Sequence, residues 1–515
     1  MFSKAVLNRS FIGKARHVSR LPADALLASV RPKLVDQRSL SLSKLSLSKE
    51  AMGVRLNGVK ERLPHIYLDS TASHSPDKAV LAEVMKFIEM AYANTHSAGH
   101  WRAMVSTDAV HQSRDALGRL FNYDPQKDVV IFKGNGATGP ANYLAQLLAS
   151  EKNLDRPYVI STAMEHHANQ LPWANAKTLF VNVDAQTGEL DMEHLEALLE
   201  NYGDQTRLLT VSGASNVTGI RNDIQTMAKK AHDKGIEVCL DAAQLAPHFP
   251  IDKNPIHGEP IDYILVSPHK MGAPGSPGVL IANKSLIEAQ RHCHETGGGV
   301  VNAVSLDPLG FTSTNDLAEG EEPGTPNVPG ILSAGLIAIK LKENMSRYVQ
   351  QEQQLLTKLI HQLERLDSIE IIGDSDPSKR VGVVSFQVRG VHHAVVTAYL
   401  NDHNVAVRNG CFCAQPYVAN LMALSKEDMA YYTQQMEEGD RRELPGYVRI
   451  SLSHDNSEQD VEAVVSLLRE LVYEKEKVNA LYEVELDGTA KRRDGKIIEP
   501  LWTFEQAKAS VLKDG

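Results

Sequence analysis

IEVCLDAAQLAPHFPIDKNPIHGEPIDYILVSPHK, residues 236–270, contains two short apolar runs, and each breaks into a loop that carries chemistry. IEVCL leads into Asp241 and Gln244. DYILV leads into Ser267, His269 and Lys270. Short apolar runs bounded by turn residues read as buried strands. In a parallel sheet, the loops at the carboxyl ends of the strands gather on one edge, which is where ligands bind. Upstream, VVIF (129–132), YVIST (158–162) and RLLTVSG (207–213) read the same way. They lead to GNGATG (134–139), MEHHAN (164–169) and SNVTG (215–219). Between strands, DIQTMAKKAHDKG carries Ile224, Met227 and Ala231 on one helical face and ends at Gly235. This alternation predicts an α/β fold, a mostly parallel sheet between helices.

Past the sheet, residues 328–366 are helical in pattern, long enough to leave one domain and enter another. VGVVSFQV (381–388), a helix around VVTAYLNDH, YVRISLS (447–453) and DVEAVVSLLRELV then predict a smaller α/β domain. The expected organisation is an N-terminal extension over 1–59, a large domain over 60–330, a small domain with the interdomain helix over 331–475, and a tail over 476–515. Residues 418–445 read as a helical excursion, and KRRDGK in the tail as an Asp-Gly turn.

At 515 residues the chain has room for a large core, with 42% hydrophobic and 23% charged residues. A net charge of −10 gives no general attraction to nucleic acid or anionic membrane, and no apolar run of membrane-spanning length is present. The first 49 residues hold ten lysines and arginines against two acids and are rich in serine. That composition suits an organellar transit peptide or a disordered extension, so the expected location is cytoplasmic, or an organellar matrix if the segment is a targeting signal. Four cysteines are too few for a disulfide scaffold. Two of them, Cys411 and Cys413, share the loop VRNGCFCAQP (407–416); no second pair completes a zinc set, so no metal is expected.

An anion cradle at GNGATG, the imidazoles of His166 and His167, the carboxyl of Asp241 and the amine of Lys270 would all meet at one sheet edge. Pyridoxal 5'-phosphate uses such a set: a lysine for its aldehyde, a phosphate cradle at a helix start, and a carboxylate for its ring nitrogen. The chain resembles the class V aminotransferase family of fold-type I pyridoxal-phosphate enzymes, nearest the cysteine desulfurases of the sulfur-mobilising type and the selenocysteine lyases. The likeness runs from IYLDSTASHSP (66–76) to SLSHDNSEQDVEAVV (451–465), through MEHHAN, LDAAQLAPH, SPHKMGAPGSPGVL, EPGTPNVPG, VRNGCFCAQP and YVRIS.

That resemblance implies roles by matching strings. Lys270 would carry the cofactor, Asp241 pair with its ring nitrogen, and Gln244 bond the ring oxygen. His166 would lie over the ring. Ala137, Thr138, Ser267 and His269 would hold the phosphate, with Thr325 supplied from the neighbouring subunit of a homodimer. Asn216 would sit near the ring oxygen and the substrate carboxylate. Arg449 would grip that carboxylate, and Arg408 would flank it. The family's nucleophilic cysteine, on a loop that swings between Gly410 and Pro416, falls at Cys413. Cys411 stands where these desulfurases usually carry another residue, although a GCFC string also occurs in molybdenum-cofactor sulfurases. The implied reaction takes sulfur from L-cysteine to Cys413 as a persulfide, releases alanine, and passes the sulfur to an acceptor protein. Alternatives are a C–S or C–Se lyase, another reaction of the family, or a silent sulfur carrier or scaffold.

Overall fold

A computed structural model describes residues 55–56, 65–95, 97, 99–149, 155–290, 295–500 and 502–513. The basic serine-rich segment and its targeting reading, like Cys293, lie outside the described residues. Two helices come first, α1 (Lys78–Met90) and α2 (Trp101–Leu120). The main sheet then uses β1 (Asp128–Asn135), β2 (Tyr158–Thr162), β3 (Lys177–Val181), β4 (Thr206–Ser212), β5 (Glu237–Asp241), β6 (Tyr263–Val266) and β7 (Pro277–Asn283). Their order across the sheet is β1-β7-β6-β5-β4-β2-β3. Strands β6, β5, β4, β2 and β3 pair in parallel, and β7 runs antiparallel to both of its neighbours. β1 therefore points the same way as β6, and the ends of β1, β2, β4, β5 and β6 share one edge. Strand β5 is buried almost throughout and β6 entirely, as expected for a sheet covered on both faces.

Helix α3 (Thr138–Leu148) starts directly after β1, and α4 (Ile224–His232) crosses between β4 and β5. A hairpin of β8 (Val301–Leu306) and β9 (Leu309–Ser313) follows the sheet. Helix α5 (Val328–Leu363) is 36 residues long, about 54 Å of rise. Asn327 caps its start by accepting from the Gly330 amide at 3.1 Å. The first half of α5 (Val328, Ile331, Ile337, Leu341) packs into the main core; its second half (Leu355, Leu359, Leu363) packs into a second core. One helix thus fixes the two cores to each other.

The second core covers a four-stranded antiparallel sheet of β10 (Ile369–Ile371), β11 (Val383–Val388), β12 (Arg408–Gly410) and β13 (Tyr447–Ser451), ordered β10-β11-β13-β12. Helix α6 (His393–Asp402) and helix α7 (Glu458–Tyr473) join it, and the excursion after the cysteine loop contains two helices, Gln415–Leu421 and Lys426–Glu437. Ile66 and Tyr67 pair in parallel with Val405 and Ala406, and Asp69 bridges Ser451, which stitches the start of the described chain to this sheet. The Asp-Gly turn expected at KRRDGK forms, Gly495 donating to the Arg492 carbonyl at 3.2 Å. The tail also holds a hairpin, Tyr482–Val484 with Ala490–Arg492, around a second Asp-Gly at 487–488. No helix among the described residues is long and apolar enough to cross a membrane.

Candidate active site

The shared strand edge opens into a cavity of about 510 Å³. Each wall is the continuation of a strand. β6 passes into a single 3-10 turn, Pro268–Met271, closed by Gly272 at φ 109°, where the left-handed backbone suits glycine. That turn lifts Lys270 into the cavity. Burial lowers its ammonium to about 8, with the guanidiniums of Arg449 and Arg408 adding to the fall and the Asp241 carboxylate opposing it. Asp241, the last residue of β5, is 5% exposed and accepts from the Ala243 amide at 2.9 Å. Burial pushes its carboxyl up, while that amide and Lys270 pull it down.

His166 caps a short helix, its Nδ1 accepting from the Ala168 amide at 3.0 Å. The proton of the neutral ring therefore sits on Nε2. Burial, then the neighbouring cations led by Lys270, drive this imidazole down to about 3, so it stays neutral at ordinary pH. His269 is lowered to about 4 by burial and then by Lys270, and its Nδ1 lies 3.2 Å from Ser73 Oγ.

Across from Lys270, the β1 loop turns back through Gly136 at φ 52°. A Cβ on Gly136 would stand 3.2 Å from Ser267 Oγ and 3.4 Å from His269 Nε2, so the missing side chain leaves a small polar hollow at the start of α3. Ala137 donates its amide to Ser267 Oγ at 2.7 Å, and Thr138 is exposed at the mouth. Gln244 donates from Nε2 to the Thr71 carbonyl at 3.0 Å and leaves Oε1 buried without a partner.

The small sheet supplies the opposite wall. Arg408 on β12 and Arg449 on β13 are direct cross-strand partners and both line the cavity. Like charges at such a position repel. Asp69 partly balances them, accepting from Arg449 Nη2 at 2.8 Å, while Nη1 donates to the Asn216 carbonyl at 2.9 Å and Nε remains buried without a partner. Burial first, then Arg408, lowers the Arg449 guanidinium to about 10 against the pull of Asp69. Two arginines against one carboxylate leave the pocket cationic, with a donor to spare.

Cys413 reaches the cavity from a tight turn. Ala414 donates its amide to the Cys411 carbonyl at 2.9 Å, and Phe412 and Cys413 hold φ of 54° and 56°. Two non-glycine residues in the left-handed region cost about 1–2 kcal/mol each. Three contacts hold them there. The Phe412 ring is 4% exposed with the Arg449 guanidinium 4.7 Å from its centroid. The Phe412 carbonyl accepts from Asn216 Nδ2 at 2.7 Å, and the Cys413 carbonyl from the His167 amide at 2.8 Å. The loop, which the resemblance implies swings toward the cofactor and away again, is docked at the cavity, with Gly410 at φ 104° leading in.

Twelve of the thirteen candidate residues named from sequence line this one cavity: Ala137, Thr138, His166, Asn216, Asp241, Gln244, Ser267, His269, Lys270, Arg408, Cys413 and Arg449. Thr325 does not; it is exposed on the loop before α5 and accepts from Asn94 Nδ2 at 3.2 Å. Asn216 spends its amide and its carbonyl on holding Phe412 and Arg449. Four contributors carry no role in the sequence reading: Asp69, Thr71, Phe412 and Glu165. Glu165 is wholly buried and takes hydrogen bonds from Thr162, Asn169 and Ser212; burial pushes it up to about 7. Its signal was a carboxylate inside MEHHAN, directly before His166.

The residues fit pyridoxal phosphate. The hollow at Gly136 suits a phosphate, Asp241 and Lys270 line the same cavity, and Gln244 Oε1 and Arg449 Nε are buried without partners.

Residues 66–464 match the Aminotransferase class-V family. A cysteine desulfurase of Yersinia pseudotuberculosis serotype O:1b (strain IP 31758) is 30% identical over 415 residues, covering 79% of this chain and 93% of that protein. The apo structure of a cysteine desulfurase from Thermococcus onnurineus NA1 superposes with a TM-score of 0.68 at 27% identity, covering 79% of this chain and 95% of that one. A crystal structure of a cysteine desulfurase from Escherichia coli gives 0.66 at 26% identity with the same coverage. The chain belongs to the class-V aminotransferase family and is an enzyme of that pyridoxal-phosphate-dependent fold, similar to cysteine desulfurases over its whole catalytic region.

Proposed function

We propose that the protein is a cysteine desulfurase, converting L-cysteine to L-alanine and keeping the sulfur on Cys413 as a persulfide. One observation carries the reading: an exposed thiol at Cys413 shares a cavity with Lys270, Asp241 and a doubled arginine site. Pyridoxal phosphate, when bound, supplies an electron sink that makes the substrate's Cα proton acidic. The chain's own residues do the rest. The hollow at Gly136, the Ala137 and Thr138 end of α3, Ser267 and His269 would hold the phosphate. Asp241 would keep the ring nitrogen protonated, Gln244 would bond the ring oxygen, and His166 would cover the ring.

The α-carboxylate of cysteine binds at Arg449, where the unpartnered Nε–H gives a planar guanidinium its second donor, and Arg408 adds charge. Lys270, whose ammonium is held near 8, offers an amine that would take the Cα proton. The Cys413 thiolate then attacks the substrate sulfur. The S–S bond forms as the C–S bond breaks, and the carbon fragment takes up a proton and leaves as alanine. Completion of the site by Thr325 from a second copy makes a homodimer part of the proposal, and an acceptor protein takes the sulfur.

The test compares two readouts in Cys413→Ala. Exchange of the substrate Cα hydrogen with deuterium in solvent should persist, because Lys270 and Asp241 are intact. Alanine formation should stop. Undiminished alanine formation, or pyruvate in its place, would instead point to a lyase that needs no thiol.

A further inference from the structure

The doubled thiol has no use in the reaction above. Cys411 stands two residues before Cys413 in the same turn, and the bond from the Ala414 amide to the Cys411 carbonyl closes the backbone between them. Residues two apart are never more than about 7 Å apart at Cα, and a left-handed turn draws them inside the span a disulfide needs. Both thiols are free. Cys413 is exposed to the cavity, and Cys411 is half-buried, packed against the edge of the main core. Burial raises the Cys411 thiol; the amide of Cys413 lowers it and the Cys413 thiolate raises it again, so the two groups feel each other directly. The nearest described alternative, Cys239, is fully buried in the sheet.

We propose that Cys411 is a resolving thiol: it attacks sulfur-loaded Cys413, closes a Cys411–Cys413 disulfide across the turn and frees hydrosulfide when no acceptor takes the sulfur. This rests on Cys413 being the residue that accepts sulfur. In the step, the Cys411 thiolate attacks Cys413 Sγ. The Sγ–Sγ bond forms while the bond from Cys413 Sγ to the terminal sulfur breaks, and that sulfur leaves with the electron pair. The terminal sulfur is reduced, the two cysteines are oxidised together, and the proton given up by Cys411 goes to solvent or to the hydrosulfide. An external dithiol must then reduce the turn before another turnover, so the loop stalls itself where acceptor and dithiol are both scarce.

The full-length, cofactor-loaded protein is given one equivalent of L-cysteine without reductant, acid-quenched over time, and the 407–416 peptide is weighed. The expected series is a peptide heavier by one sulfur atom, replaced by one lighter than the dithiol by two hydrogens, with free sulfide rising in step. Cys411→Ser and Cys411→Ala should keep the extra sulfur and release sulfide at least tenfold more slowly. The proposal is overturned if the disulfide never forms, or if wild type and both variants lose the sulfur at one rate. A parallel arm loads Cys413 with inorganic polysulfide, without turnover. If L-cysteine leaves the peptide unloaded while polysulfide-loaded protein still closes the disulfide, the desulfurase reading fails and the resolving role stands. If neither route yields the disulfide, the resolving role fails.

Discussion

Lys270 and Cys413 face the same cavity but are held in opposite ways. Lys270 stands on a 3-10 turn at the end of a fully buried strand, and its amide donates to the Ser267 carbonyl at 2.9 Å. Moving it means unravelling the main core. Cys413 stands on a strained turn held by one ring, two hydrogen bonds and the contact with Arg449. The strain of two left-handed residues, about 1–2 kcal/mol each, is stored in the docked turn. The half that carries Lys270 is built into the core, and the half that carries Cys413 is held by a few contacts at its surface.

The sharpest way to break this comparison is Lys270→Ala. Alanine formation should fall by about 10⁴-fold or more while the protein keeps its fold, because the general base and the anchor are one group. In the intact apo protein, capture of an aldehyde by Lys270 should accelerate as pH rises to about 8 and then level off. The ammonium is the unreactive form and its folded value lies below that of a free lysine. A rate still climbing steeply near pH 10 would place the amine in water rather than in the cavity. Next in size, Asp241→Asn should slow turnover by about 10²–10³-fold, since a neutral amide does not hold the ring proton. Both effects should appear in Cα hydrogen exchange as well as in alanine.

Changes at the turn should separate those readouts. Phe412→Ala removes a buried ring, a loss of order 3 kcal/mol that exceeds what two hydrogen bonds retain. Alanine formation should fall by about a hundredfold, exchange should barely change, and protease should cut near 411–413. Equal loss in both readouts would mean that the turn is part of the fixed half. The smallest effect belongs to Asn216→Ala. One hydrogen bond from its side chain to the Phe412 carbonyl, worth about 1 kcal/mol, should cost roughly fivefold in alanine formation, while L-cysteine binding stays unchanged because Arg449 bonds the main-chain carbonyl of residue 216.

The same contrast explains what was legible in the sequence. YVIST coincides with β2 residue for residue, β5 ends on Asp241, and β6 leads into the turn that carries Lys270, as their apolar runs predicted. Buried parallel strands announce themselves because every side chain must be apolar until the strand leaves the core. β3, with its more exposed residues, gives a weaker signal, and antiparallel β7, PGVLIAN, carries an equally apolar buried run that the sequence reading does not assign. The cysteine loop was legible as chemistry but not as geometry. Nothing in VRNGCFCAQP says that Phe412 turns inward, that two non-glycine residues take positive φ, or that Asn216 serves as the clasp. Those facts depend on Arg449 and Asp69, from strands distant in sequence, meeting at one point. Thr325 lies outside the cavity, on the loop before the long helix, with Asn94 as its partner.

The most direct test is a single turnover with L-cysteine in excess acceptor-free buffer, counting alanine released and sulfur atoms newly attached to the peptide that contains Cys413 at the earliest times. One alanine for each sulfur on Cys413 is the predicted result. Pyruvate and ammonia with an unmodified peptide, or sulfur attached to Cys239 or Cys293 instead, would contradict it.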